Sequence, residues 1–340
     1  MSRLHFLNVD PGDCTVIEHN SGRISVIDVC DGNIEKANSN SASVKTLGQL
    51  LAQMDSQRSS GGNFSMKSCV TNPIDYIRAL GISSIFRFIL THPDMDHMDG
   101  LDQLAKNFSI LNFWDTGVRK EDPDFSNYSP YLEEDWSRYK KLINSDGTSC
   151  STRLAGDRFQ YANKGTDGAG GDGLYILSPD KTLVDTANDG GDVNDASYVI
   201  LYRSAGGRIL IPGDAHDETW DRVIREHTAD VLGCSVLIAP HHGRDSDRSF
   251  DFLDTIQPKL TLFGNAPSEH LAYDAWNSRG LAYITSNQAG NIILECQNDS
   301  VAVYVENELF AAKHSQYQLQ NEGGYHLYDI ISARVSEDAA

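Results

Sequence analysis

Apolar and polar residues alternate with a period of two through the first thirty positions, at 4–6, 14–17 and 24–27. Asp10-Pro11-Gly12-Asp13 and Asn20-Ser21-Gly22 interrupt the pattern. That period marks half-buried strands and the interruptions are turn formers, so the chain opens as a sheet built from hairpins. Residues 38–67 are rich in Ser, Asn, Gln and Gly around one amphipathic stretch at 44–54, which reads as a polar surface insertion. A helix is predicted from Asn72-Pro73, a cap followed by proline at the first helical position. Ile74, Ile77 and Leu80 lie at helical spacing and Gly81 provides the stop. Residues 85–90 are apolar almost throughout, as in a strand covered on both faces, and run straight into Thr91-His92-Pro93-Asp94-Met95-Asp96-His97.

Residues 115–172 are polar and aromatic-bearing, with Glu133-Glu134-Asp135-Trp136 on a helix and a glycine-rich loop at 165–173, a composition suited to a substrate-side insertion. Strands return at 174–177, 197–202, 208–211 and 236–239, with a helix over about 217–227. Strands alternating with helices predict a layered α/β core. Residues 311–340 read as a C-terminal appendage.

The 340 residues are enough for one large domain or two small ones, and 40% hydrophobic residues suffice for a packed core. No run approaches the ~20 apolar residues of a membrane span. The N-terminus leads into a strand pattern and the six cysteines are scattered without a CxxC pair, so the expectation is a soluble cytoplasmic protein without membrane insertion. A formal charge of −20 repels polyanions and excludes a broad face for gripping duplex nucleic acid. Cations held in an acidic cleft would supply a local positive centre instead.

Three segments carry candidate chemistry. In His92-Pro93-Asp94-Met95-Asp96-His97, four imidazole or carboxylate donors fall within six residues at the end of a buried strand. An extended segment projects 92, 94 and 96 to one side and a turn brings His97 round, so each of two metals can receive a His and an Asp. The competing reading is a polar loop in which Asp94, Asp96 or Asp99 caps the helix beginning at Gly100-Leu101. The second segment, Arg208 to Asp214, ends a buried strand at Gly213-Asp214, where one carboxylate can bridge two cations. The third runs from Val236 into Pro240-His241-His242-Gly243, and adjacent histidines after a buried strand rarely serve packing.

In this order the three segments resemble the metallo-β-lactamase superfamily, and within it the hydrolase domain of ComEC-type DNA-uptake proteins. The likeness takes in Phe6 to Asp13, the Ile27-Asp28 strand end, Asn72 to Leu101, Leu177-Ser178-Pro179, Asn194 to Ser197, Gly213-Asp214, Pro240 to Gly243 and Thr285 to Ile293. It implies a four-layered αβ/βα sandwich over residues 1–310 with two divalent ions, Zn or Mn. His92 and Asp94 would hold one metal, Asp96 and His97 the other, Asp214 would bridge, and His241 or His242 would complete the second site. The chain departs from the superfamily in having Asp94 at the usual second histidine, and in lacking the histidine usual before Asn194, where Asp192, Asn194 or water is left to fill the gap. Fewer nitrogen ligands favour harder ions such as Mn²⁺. Asn8 and Asp10 also replace the Asp and Gly of that branch, which leaves the turn a structural role.

The resulting expectation is a binuclear metal-dependent hydrolase in which cations acidify a bound water that attacks the substrate. Asp96 is the catalytic proton acceptor, and His270 is the candidate leaving-group acid, with a surface histidine as its competing reading. Phosphodiesterase or nuclease action on nucleic acid or a nucleotide leads. Amide or ester hydrolysis, and a non-catalytic sensor working with a protein partner, are the alternatives. His216 reads as a solvent-facing helix residue.

Overall fold

The computed structural model describes residues 1–9, 11–33, 64–126, 129–144, 148–165, 170–266, 270–317 and 320–333. Two large sheets face each other. In the first, of ten strands, Ser2–Phe6, Thr15–Glu18 and Ile24–Ile27 pair antiparallel as the hairpins expected from the period-two pattern. Arg87–Ile89, Asn112–Asp115 and Ser149–Thr152 then add in parallel beside Ile24–Ile27. Beyond Ser2–Phe6 the sheet continues through Ile292–Gln297, Ser300–Val305 and Tyr325–Ser332. The second sheet has six strands. Gly207–Ile211, Val236–Ile238, Leu260–Phe263 and Tyr283–Thr285 run parallel, and Val199–Ser204 and Leu174–Ser178 complete it antiparallel.

Side-chain alternation along the strands distributes residues among three cores. Ile89, Ile209, Ile211, Val236 and Ile238 point between the sheets, where they meet Leu4, Phe6 and Ile292. Phe88 and Leu90 point outward under the helices Pro73–Ala79, Leu101–Asn107 and Glu133–Ile143, whose Ile74, Leu104, Trp136 and Tyr139 cover them. Leu210 and Leu237 point to the opposite outside, under Asp217–Val231, Phe252–Ile256 and Tyr273–Asn277. Helix, sheet, sheet, helix is the four-layered sandwich, and it follows from each parallel strand carrying apolar residues on both faces.

Local expectations meet the structure with informative differences. Asn72 caps its helix, its side chain accepting from the amides of Ile74 and Asp75. The apolar run 85–90 is divided at Phe86: Ser84–Ile85 pairs with Ser109–Ile110 in a separate two-stranded sheet, and only Arg87–Ile89 joins the large one. The helix expected to end at 227 continues to Val231 across non-helical backbone at His227. The 115–172 segment contributes the helix Glu133–Ile143 to an outer layer and the strand Ser149–Thr152 to the ten-stranded sheet. Residues after 310 likewise continue helix Glu308–His314 and supply the sheet strand Tyr325–Ser332. The amphipathic stretch at 44–54 lies outside the described residues. No helix of the described residues is long and apolar enough to cross a membrane.

Candidate metal centre

The carboxyl ends of the parallel strands of both sheets point to one edge of the sandwich, where ligand sites of α/β sheets form. Asp28 follows Ile24–Ile27, His92 follows Arg87–Ile89, Asp214 follows Gly207–Ile211, and His241-His242 follow Val236–Ile238. Backbone hydrogen bonds join these ends, from Tyr198 N to Thr91 O at 3.0 Å and from His241 N to Gly213 O at 3.1 Å.

Asp214 is the hub. Its Oδ1 lies 3.2 Å from His97 Nε2, and its Oδ2 lies 3.5 Å from His241 Nε2 and 3.6 Å from His242 Nε2. The His92 ring packs on that of His97 with centroids 4.2 Å apart, and His92, His97 and Asp214 offer donor atoms to a common point. Asp96 Oδ2 is 3.4 Å from His242 Nε2, and Asp96, His97 and His242 form a second such group. A third comprises Asp13, Asp214 and His242. His97 thus belongs with His92 as much as with Asp96. Asp94 sits at the rim, 4.0 Å from His92 Nε2, with its other oxygen 2.7 Å from Lys120 Nζ.

The helix at Leu101–Asn107 does not consume these carboxylates. Gly100 is its cap residue, and Asp135 accepts from the amides of Gly100 (3.0 Å) and Asp102 (2.8 Å). Asp99 is bound instead to the amide of Asp31 at 3.2 Å. Asp135 thus fills the capping role that the sequence left open to Asp94, Asp96 or Asp99.

Tight backbone geometry brings the groups together. Gly213 has φ of 53°, and a Cβ there would meet Thr91 Cβ at 2.7 Å. Gly12 has φ of 154°, and a Cβ there would lie 2.4 Å from Asp96 O. His241 and His242 both take left-handed backbone, φ 53° and 58°. Such a conformation costs a non-glycine residue roughly 1–3 kcal/mol and persists where surrounding structure enforces it.

Two carboxylates absent from the sequence-based ligand set orient the rings. Asp28 accepts from His97 Nδ1 at 2.8 Å, from Thr91 Oγ1 at 2.7 Å and from Thr91 N at 2.8 Å. Asp13 Oδ1 stands 3.2 Å from His242 Nδ1. Both behind-the-ring contacts turn Nε2 inward, as carboxylates do behind metal-binding histidines.

Electrostatics follow from this crowding. Burial pulls the His97 ring down, but Asp214, Asp28 and Asp96 together hold it well above its ordinary pKa. His242 is buried too, yet Asp214 and Asp13 raise it to about 10. Burial works against ionisation of Asp214, but His242 and His97 hold its carboxyl well below the usual range. Asp96 is lowered in the same way by His97 and His242. Burial lowers His241 to about 4 and also lowers His92. Four carboxylates thus concentrate negative potential on imidazoles, where cations would be favoured.

The donor set fits divalent metal. The Nε2 atoms of His92, His97 and His242 and Asp214 Oδ1 are buried and make no hydrogen bond among the described residues. Buried polar atoms are nearly always satisfied, so four left bare across these overlapping groups fit a ligand that accepts lone pairs.

The remaining candidates lie elsewhere. His270 is exposed and lines a cleft of about 490 Å³ with Arg244, Asp245, Ser246 and Asp247, and its carbonyl accepts from Asp245 N at 2.7 Å. Asn8 makes structural hydrogen bonds, donating to Met66 O and Cys69 O and accepting from Asn265. Asp10 lies outside the described residues. His216 is no isolated helix residue: its Nε2 is 3.1 Å from His241 Nδ1. The polar contacts of Asp13, Asp28 and His216 join distant segments, and no periodicity announces them.

No protein-family profile matches the chain. Over 220 residues it is 22% identical to ComE operon protein 3 of Bacillus subtilis, covering 64% of this chain and 24% of that protein. The chain thus spans about a quarter of the length of that relative. Among solved structures it is similar to a metal-dependent hydrolase of the β-lactamase superfamily, with a TM-score of 0.48 and 13% identity over 87% of this chain and 100% of the other. It is also similar to Igni18, a metallo hydrolase of Ignicoccus hospitalis, with a TM-score of 0.44 and 13% identity over the same shares. Both of these proteins are described as metal-dependent or metallo hydrolases.

Proposed function

We propose that the chain is a metal-dependent hydrolase of phosphodiesters that holds two divalent ions, Zn or Mn, in the cluster around Asp214. The observation that carries this reading is the division of that carboxylate: one oxygen faces His97, beside His92, and the other faces His241 and His242, beside Asp96. Bound cations would acidify water and polarise the scissile bond. Asp96, still partly open to solvent, would accept the proton of the attacking water.

Two cations of the chain favour a phosphate substrate. Lys120 stands at the rim on Asp94, and Arg244, whose backbone amide donates to His241 O, lines the cleft with its Nε buried and without a hydrogen-bond partner among the described residues. In a chain of net charge −20 an arginine left beside a candidate metal centre suits an anionic substrate. The acidity elsewhere favours single strands, ends or small nucleotides over long duplexes. The resemblance to the hydrolase domain of DNA-uptake proteins supports the same class.

The test is turnover of bis-p-nitrophenyl phosphate, single- and double-stranded DNA, cyclic dinucleotides and nitrocefin in Mn²⁺ or Zn²⁺. Metal-dependent phosphodiester cleavage that vanishes in Asp96→Ala is expected. Cleavage of nitrocefin alone, or none by a metal-loaded protein, would overturn the proposal.

A further inference from the structure

A polar chain runs from the surface to the candidate centre. Asp192 Oδ2 lies 2.6 Å from His216 Nδ1, His216 Nε2 lies 3.1 Å from His241 Nδ1, and His241 Nε2 lies 3.5 Å from Asp214 Oδ2. Each link is fixed by something outside it. The other oxygen of Asp192 accepts from Asn194 N at 2.9 Å, which holds the carboxylate in place. His216 is the residue preceding helix Asp217–Val231, yet it does not cap that helix. Asp195 accepts from the amides of Glu218 and Thr219 in its stead, which frees the His216 ring to turn toward Asp192 and His241.

Donor and acceptor chemistry then sets the direction of the protons. An ionised carboxylate only accepts, so His216 carries a proton on Nδ1, and with a neutral ring it presents a lone pair at Nε2. The Asn194 amide nitrogen approaches that same Nε2 at 3.5 Å, consistent with an acceptor there. His241 therefore donates from Nδ1, a direction that the Ser246 hydroxyl, 3.3 Å from the same atom, also accommodates. Its Nε2 is left bare and directed at a carboxylate oxygen. Two lone pairs facing each other at that separation repel unless a cation lies between them.

We propose that Asp192 and His216 are positioning residues that fix the tautomer of His241 and make it, together with His242, a metal-binding residue. The proposal rests on the metal-dependent reading of the same site. It assigns a role to a histidine whose place in the sequence suggested only a solvated helix start. It also gives the gap before Asn194 a function: Asp192 acts through two imidazoles, without touching the ion.

The experiment is histidine ¹⁵N NMR of the metal-free full chain, combined with Zn²⁺ titration of the wild type, Asp192→Ala, His216→Ala and His216→Gln. His241 protonated at Nδ1 in the wild type is expected. Either alanine variant should lose that fixed tautomer and bind Zn²⁺ about 10- to 100-fold more weakly at unchanged melting temperature. His216→Gln, whose amide oxygen accepts from Nδ1, should recover most of the affinity. His241 protonated at Nε2 in the wild type, or Zn²⁺ affinity unchanged in both alanine variants, would overturn the proposal. Should the wild type take up no Zn²⁺ or Mn²⁺, the functional reading fails, and the tautomer of His241 still decides the positioning role.

Discussion

His97 Nε2 and Asp214 Oδ1 stand 3.2 Å apart, although one follows a strand of the ten-stranded sheet and the other a strand of the six-stranded sheet. Both side chains are buried, and neither atom makes a hydrogen bond among the described residues. The contact exists because two parallel strands end at the same edge of the sandwich, and Gly213 lets the second pass close beside Thr91.

Asp28 holds His97 from behind, so its removal should weaken metal binding without removing a metal-binding group. Asp28→Ala is expected to lower Zn²⁺ affinity about 10- to 100-fold by calorimetric titration. An unchanged affinity would show that the His97 ring needs no such support.

Asp96 lies within the donor cluster, whereas His270 is exposed in the neighbouring cleft. Asp96→Ala should therefore reduce kcat by a factor on the order of 10² to 10⁴, and His270→Ala by less than about tenfold. Equal losses at equal metal content would contradict the ranking.

Gly213→Ala places a methyl group against Thr91 in left-handed backbone. The expected cost is about 1–3 kcal/mol in urea unfolding, with weaker Zn²⁺ binding because Asp214 must shift with the strand end. Full stability with full metal affinity would rule out the close approach.

Away from the centre, His19 lies against the buried Arg87–Asp172 ion pair, 3.4 Å from the guanidinium. Burial and then Arg87 lower its pKa from 6.5 to about 4. The unfolded chain therefore takes up the proton first as pH falls. The contribution of neutral His19 is fully present above about pH 6.5 and is lost as pH drops through the folded value, up to roughly 3 kcal/mol. Urea midpoints of the wild type at pH 7.5 and 5 should fall further than those of His19→Gln. Parallel declines would exclude this residue as the source.

The strands that lead into the site, and all three donor segments, were legible because each is a local pattern: apolar runs ending in His92 to His97, in Gly213-Asp214 and in His241-His242. What could not be read is the set of partners reached across the fold. Asp28 and Asp13 arrive from hairpins whose sequence says only strand and turn, and Asp135 takes the capping role that Asp94, Asp96 and Asp99 seemed equally able to fill. The break at Phe86 was invisible for a related reason. A continuous apolar run carries no mark where it changes partner, and here the change is made by a hydrogen bond from Phe86 N to Ile24 O. The contacts of His216 with Asp192 and His241 were hidden in the same way, because its helix start is capped by Asp195, a residue from another segment.

The central claim is tested most directly by counting metal bound to the purified chain after loading with Mn²⁺ or Zn²⁺, by native mass spectrometry of the wild type beside Asp214→Asn. Two ions per chain in the wild type and loss of at least one in the variant are expected. A wild type that binds no ion, or an Asp214→Asn protein that binds as many as the wild type with equal affinity, would contradict it.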